Sequence, residues 1–127
     1  MPQTEQLVKA IDHCSLIVAD TSKALEFYKG ILDLETDDSR PDLGYPGAWL
    51  QMANGQIHLL ELPNPDSVEN RPDHGGRDRH LALQVSDLSV VVQRLEKAGI
   101  DYSMSKSGRA ALFCRDFDAN AIELVEK

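Results

Sequence analysis

Apolar and polar residues alternate over short stretches of this chain, and twice the alternation gives way to a helical period. Between Ala10 and Ala19 an extended chain places Cys14, Leu16 and Val18 on one face and His13, Ser15 and Ile17 on the other. A helix is predicted next. Asp20 or Thr21 can satisfy an N–H of its first turn, and Ala24, Leu25, Tyr28, Ile31 and Leu32 recur at helical spacing. Gly30 marks a break near its end. Leu34–Arg40 is expected to hold a short charged strand, and the two prolines and two glycines of Pro41–Gly47 predict a turn or loop. Ala48–Ala53 and Gln56–Leu62 predict strands joined at the hairpin dipeptide Asn54-Gly55. In the second of these, Ile57 and Leu59 share one face and His58 and Leu60 the other.

The order then repeats. Pro63–Asp78, with three prolines and two adjacent glycines, predicts a surface linker. His80–Val85 is a strand with Leu81, Leu83 and Val85 on one face and His80, Ala82 and Gln84 on the other. Asp87 caps a helix whose apolar positions are Leu88, Val91, Val92, Leu95 and Ala98, and Gly99 ends it. Strands follow at Asp101–Ser105, Ala110–Arg115 and Ala121–Glu126. The expected class is α+β, with two paired βαβββ modules in one domain spanning 1–127. Module one covers about 10–62, the linker 63–78 and module two about 79–126. A half of roughly 60 residues is marginal alone. The halves are therefore expected to pack together, or to exchange partners in a homodimer.

The repeat extends to single residues. His, Val and Asp of His13–Asp20 recur in His80–Asp87, 67 positions on. Ile57-His58-Leu59-Leu60-Glu61 is echoed by Ile122-Glu123-Leu124-Val125-Glu126, 65 positions on. Each half thus returns a metal-type side chain at both ends: His13 and His58, then His80 and Glu123. All four lie opposite the apolar face of their strand. That parity predicts two curved mixed sheets, helices outside, and a shared concave face gathering the four into one divalent-metal site. Three imidazoles and a carboxylate suit Zn²⁺, Ni²⁺, Co²⁺, Fe²⁺ or Mn²⁺. On an octahedral ion they leave two positions for water or for two neighbouring substrate oxygens. Four-coordinate structural zinc is the alternative.

Other candidates have plainer readings. His74, in the linker, is expected to face solvent. So are Glu61 and Glu126, which match in the repeat but point to the other face or the strand ends. Trp49, Gln51, Phe113 and Arg115 could line the site, although core packing is the ordinary role for Trp49 and Phe113. Arg77, Arg79, Arg109 and Arg115 could anchor a substrate carboxylate, or stand as surface charges.

Charge narrows the partners. Thirteen basic against 21 acidic residues give a net charge of −8, which argues against nucleic acid and anionic membranes. A small-molecule substrate is unaffected. No apolar run reaches the roughly 20 residues of a membrane helix, and the polar Met1–Lys9 lead-in lacks the apolar core of a secretory signal. Cys14 and Cys114, the two cysteines, read as buried free thiols in a reducing cytoplasm.

With these residues in place, the chain resembles the vicinal oxygen chelate superfamily, also called the glyoxalase/bleomycin-resistance/extradiol-dioxygenase fold. The resemblance runs from about Ile11 to Glu126. It rests on His13 with its Val-x-Asp and the Phe27-Tyr28 helix, on Arg79-His80-Leu81-Ala82-Leu83, and on Asn120-Ala121-Ile122-Glu123-Leu124. One departure is visible: such sequences often carry Asp-Pro-Asp-Gly before the last strand, where this chain has Asp116-Phe117-Asp118-Ala119. A looser or differently shaped turn is expected there. The resemblance implies divalent-metal ligands on the first and last strands of each module, by position His13, His58, His80 and Glu123. Relatives of glyoxalase and epimerase type often have glutamate where His58 stands.

The function this implies is a metal-dependent lyase or isomerase of glyoxalase type. The metal chelates a small oxygenated substrate, and Glu123, the one carboxylate of the set, moves a proton next to a carbonyl. An epimerase needs a second base, which His58 would have to be. The alternatives are a non-haem Fe(II) dioxygenase using His13, His80 and Glu123, a thiol-transfer resistance enzyme of fosfomycin type, and a non-catalytic binding module.

Overall fold

The computed structural model describes residues 6–127; Met1–Glu5 of the polar lead-in lie outside the described residues. Module one contains β1 (His13–Val18), α1 (Thr21–Tyr28), β2 (Glu35–Thr36), β3 (Gly47–Met52) and β4 (Gly55–Glu61). Module two contains β5 (His80–Val85), α2 (Leu88–Ala98), β6 (Tyr102–Met104), β7 (Ala111–Arg115) and β8 (Ala121–Glu126). A single 3₁₀ turn, Gly75–Arg77, interrupts the linker.

Each module builds its own four-stranded mixed sheet, ordered β1-β4-β3-β2 and β5-β8-β7-β6. β1 and β4 are parallel, as are β5 and β8, and the remaining neighbours are antiparallel. The helical crossover starts β2 in the direction of β1, and the reversals into β3 and then β4 leave β4 parallel to its neighbour β1; module two repeats the path. The fold is the expected α+β pair of βαβββ modules.

The helices start and stop where local chemistry dictates. Asp20 accepts the Lys23 N–H at 3.1 Å, and Asp87 accepts that of Ser89 at 3.0 Å. A second, repeated device reinforces both. Glu61 Oε1 accepts the Thr21 N–H at 2.8 Å, and Glu126 Oε1 accepts the Leu88 N–H at 2.9 Å. Glu126 is exposed, as expected, and Glu61 half-buried, yet each carboxylate ties the last strand of its module to the start of its helix. α2 ends on Gly99 in a left-handed conformation (φ +70°). α1 ends at Tyr28, and Gly30 is needed just beyond it because a Cβ there would lie 2.3 Å from the Glu26 carbonyl oxygen.

The apolar faces of both sheets and both helices merge into one core. Val18, Phe27, Tyr28, Leu50, Ile57, Leu59, Leu95, Leu112, Ile122 and Leu124 are fully enclosed. Polar contacts lock the modules at the β7–β8 turn. Tyr28 donates to Asp116 Oδ2 at 2.6 Å, the Ala19 N–H donates to Asp118 at 2.9 Å, and Asn120 donates to the Ile17 carbonyl at 3.2 Å. Burial pushes the Asp116 carboxyl up, and its hydrogen bonds from Tyr28 and Asn120 pull the other way. The turn expected to be loose is closed. Asp116 Oδ1 accepts the N–H groups of Asp118 and Asn120, each at 2.9 Å, and Ala119 adopts the left-handed conformation (φ +64°) that a glycine would take without strain.

The linker is only partly a surface strand. Arg71 grips both oxygens of Asp78, at 3.0 and 2.7 Å, and Arg115 reaches Asp78, the Ala119 carbonyl and the Pro72 carbonyl. Hydrogen bonding to Arg71 holds the Asp78 carboxyl far below the usual range. Arg115 is thereby a structural clamp and not a surface charge. Cys14 is half-buried and Cys114 buried; both are free thiols, and burial pushes Cys114 up to about 12.

Candidate metal centre

Strand register brings the four predicted ligands together two by two. In module one Ser15 pairs with His58, so His13, two residues before Ser15, shares a face with His58 on the neighbouring strand. Their rings stack at 3.9 Å between centroids, 17° from parallel. In module two Ala82 pairs with Glu123, and His80 falls at the corresponding position. His80 Nε2 lies 3.2 Å from Glu123 Oε1. The two pairs do not merge within the chain. Among the described residues, no group of three or more His, Cys, Asp or Glu side chains is arranged to hold a metal ion. β1 and β4 belong to one sheet, and β5 and β8 to the other.

The histidine ring nitrogens have defined tasks. His13 Nδ1 is 2.7 Å from Asp12 Oδ2, and His80 Nδ1 is 2.9 Å from the Asp78 carbonyl oxygen. An Nδ1–H donated in each case leaves Nε2 as the free donor atom, which is how second partners orient ligating histidines. His58 differs. Its Nε2 contacts Gln56 Oε1 at 2.8 Å, and Gln56 donates onward to Asp37 at 2.9 Å. No sequence pattern singles out Asp37, while Gln56 sits two residues before His58 and shares its strand face. Burial, with a smaller contribution from the His13 charge, lowers the His58 pKa and favours its neutral form.

Each pair has an aromatic wall in the same register position. Trp49 pairs with His58 across β3 and β4, and Phe113 pairs with Glu123 across β7 and β8. The Trp49 indole stacks on His58 at 4.4 Å, extending the stack to three rings. Phe113 packs edge-on to His80 at 5.2 Å. Its other neighbour is His74, 4.8 Å away. His74 is therefore half-buried against the module-two site and not in open solvent; its Nδ1 accepts the Gly76 N–H at 3.0 Å.

Glu123 is nearly enclosed, at 3 % exposed. Its second oxygen takes an ion pair from Arg109 Nη2 at 2.8 Å. Of the four arginines flagged as anchors, Arg109 is the one that reaches a predicted ligand. Arg79 pairs with Asp66 instead, Arg115 with Asp78, and Arg77 is exposed in the 3₁₀ turn. Gln51 is exposed on β3. A cleft of about 360 Å³ runs between β1 and the start of β5, and His80 borders it with Ser15, Arg79 and Asn120.

The donor chemistry fits a divalent ion. Two ligand atoms on one ion, each at roughly 2.0–2.1 Å, stand roughly 2.8–3.4 Å apart at octahedral to tetrahedral angles. The His80 Nε2 to Glu123 Oε1 separation of 3.2 Å lies in that range. Each module supplies two donors, fewer than the three or four protein ligands of an ordinary site.

The comparisons with known proteins agree with this architecture. The family model described as the Glyoxalase/Bleomycin resistance protein/Dioxygenase superfamily matches residues 10–124. Glyoxylase I 4 of Arabidopsis thaliana is 29% identical over 93 residues, covering 73% of this chain. The chain spans about half of that relative, 53% of its length. The human mitochondrial methylmalonyl-CoA epimerase is 24% identical, with 91% of this chain and 71% of the relative covered. Among solved structures, the fosfomycin resistance protein FosX of Listeria monocytogenes, in a mutant complex with Mn(II) and 1S,2S-dihydroxypropylphosphonic acid, superposes with a TM-score of 0.73. That match has 21% identity and covers 94% of this chain and 93% of the other. Repeat, register and family match converge, and the chain belongs to the glyoxalase/bleomycin resistance protein/dioxygenase superfamily.

Proposed function

We propose that this protein is a metal-dependent lyase or isomerase of glyoxalase type, acting on a small oxygenated substrate. Its divalent ion is held by His13, His58, His80 and Glu123, with the module-one pair of one copy facing the module-two pair of a second in a homodimer. One observation carries the reading: two register-matched donor pairs, the second at coordination spacing, with no group of three such side chains arranged to hold an ion among the described residues. Exposed apolar side chains at Leu7, Val8, Ile11 and Met104 are consistent with a covered face in a dimer.

A bound divalent ion would act as a Lewis acid, polarising substrate oxygens so that a neighbouring C–H becomes acidic. The chain's own groups do the rest. His13 and His80 present Nε2 with Nδ1 anchored. Glu123 is the carboxylate of the set and the group that moves the proton. Trp49 and Phe113 wall the pairs and limit water. The Arabidopsis and human relatives carry the names of a glyoxalase and an epimerase, both within this reaction class.

Subunit complementation tests the reading. A His13→Ala/His58→Ala chain and a His80→Ala/Glu123→Ala chain are each expected to bind no ion by elemental mass spectrometry. Mixed under exchange, they should recover metal, because one intact site forms in each mixed dimer. Failure to recover, with wild type loaded, would mean that the pairs do not meet across copies.

One observation favours a second reading, an Fe(II) dioxygenase using His13, His80 and Glu123. His58 already spends Nε2 on Gln56 and is stacked between two rings. Metal retention in His58→Ala, with oxygen uptake by the ferrous protein, would select it.

A further inference from the structure

Module one carries a polar relay that ends on His58. Its outer member is Asp37, just past β2. The Asp37 N–H donates to the Trp49 carbonyl at 2.8 Å and so continues the β2–β3 ladder by one residue. Asp37 Oδ1 is held in turn by the Ser39 N–H at 2.9 Å and the Ser39 hydroxyl at 2.7 Å. Oδ2 is left for the Gln56 amide, at 2.9 Å. Module two has no counterpart, since the residue at the matching place in the repeat is Ala121.

Each link dictates the next. Hydrogen bonds from the Ser39 hydroxyl, and after it from the Ser39 N–H and Gln56, hold the Asp37 carboxyl below its usual range. An ionised carboxylate only accepts, so Gln56 turns its NH₂ toward Asp37 and its Oε1 toward His58. An amide oxygen also only accepts, so the His58 Nε2 that lies 2.8 Å from it carries the proton. A neutral imidazole has one N–H, and its lone pair then falls on Nδ1. Nδ1 of His58 has no hydrogen-bond partner among the described residues and is not sealed from solvent. His13 and Trp49 cover the two ring faces, but an imidazole lone pair lies in the ring plane, at the open edge. His13 and His80 are the other way round, with Nδ1 anchored and Nε2 free.

We propose that Asp37 and Gln56 are positioning residues for His58: they hold it as the Nε2–H tautomer, so that it meets the metal through Nδ1, the reverse of His13 and His80. The inference deepens the metal-enzyme reading and rests on it for what Nδ1 meets. Nδ1 is one bond nearer the backbone than Nε2, so the tautomer sets how far His58 reaches into the site. The relay acts on the ring's proton and not on its charge, and its effect is visible before any ion is bound.

The test is ¹H–¹⁵N NMR of ¹⁵N-labelled protein at a pH where every imidazole is neutral, first without metal and then with ¹¹³Cd²⁺. Two of the four histidines serve as references: His74, whose Nδ1 accepts the Gly76 N–H, and His80, whose Nδ1–H goes to a carbonyl. In metal-free wild type His58 should match His74. Asp37→Ala and Gln56→Leu should each lower its ratio of Nε2–H to Nδ1–H roughly tenfold, the worth of one hydrogen bond. Gln56→Glu added to Asp37→Ala should restore the ratio, because a carboxylate accepts whichever way it turns. Unmoved His74 and His80 signals report that the variants are folded. An Nδ1–H His58 in wild type, or a ratio that either substitution leaves unmoved, would overturn the inference. With cadmium, direct ¹¹³Cd–¹⁵N coupling should appear at Nδ1 of His58 and at Nε2 of His13 and His80. Coupling at His58 Nε2, or none at His58 in a loaded protein, overturns the inference and leaves the metal reading standing. No cadmium uptake, with the metal-free tautomers as expected, refutes the metal reading and leaves the hold of Asp37 and Gln56 on His58 in place.

Discussion

His58 and Glu123 stand at the same place in the repeat, and the two modules treat them in opposite ways. His58 lies in a three-ring stack with His13 and Trp49, partly open to solvent, and bonds only polar neighbours of its own sheet. Glu123 is enclosed, paired to a cation and set against a buried phenylalanine. The same contrast runs along the strands. β8 is buried at Ala121 through Val125, whereas β4 alternates between buried and half-buried positions. Identical topology therefore does not enforce identical environments. What differs is the outer cover: linker residues His74 and Gly75 pack onto the module-two wall.

That contrast can be pressed hardest at the two aromatic walls. Phe113→Ala should cost about 3 kcal/mol, because its ring is buried among His74, His80 and the 3₁₀ turn. Trp49→Ala, at a half-exposed site, should cost only about 1–2 kcal/mol despite the larger side chain. Urea unfolding of both variants would measure the difference. Equal losses would mean that module one is as closed as module two in solution.

A smaller effect should be symmetric. Glu61→Ala and Glu126→Ala each remove one charged acceptor from a helix N-terminus, and each should cost about 1 kcal/mol. Thermal melts that separate the two variants by more than the cost of either would show that the matched contacts are not energetically equivalent. The smallest effect should be a gain. The β3–β4 hairpin places Gly55 at its positive-φ position, whereas the β7–β8 turn strains Ala119. Ala119→Gly should stabilise by about 0.5–1 kcal/mol, read as a rise in Tm. A fall would mean that the Ala119 methyl group does something the backbone strain does not outweigh.

Much of the fold was legible in the sequence because local rules and burial agree there. The parity of His80–Val85 predicted the strand to the residue, and Asp20, Asp87 and Gly99 marked helix ends through backbone chemistry that needs no tertiary partner. The repeat also named which side chains share a face. It carried no information on distance between sheets, and so left open whether the two pairs meet within one chain or between copies. The capping role of Glu61 and Glu126 was missed for a related reason. Their exposure was inferred from strand position, while their acceptor role depends on a helix that begins 40 and 38 residues earlier. His74 was placed in solvent by the composition of its surroundings; contact with Phe113 overrides that composition.

The Arg71–Asp78–Arg115 clamp also sets a length. It fixes the last part of the segment between β4 and β5 to module two, so once the exposed Arg79–Asp66 ion pair opens the span left to swing is Pro63–Asn70. Fully extended, those residues reach roughly 28 Å. That leash bounds how far apart the two halves of one chain can stand while the clamp holds. Any assembly in which copies trade halves must fit its geometry inside that radius, or first break three hydrogen bonds to Asp78.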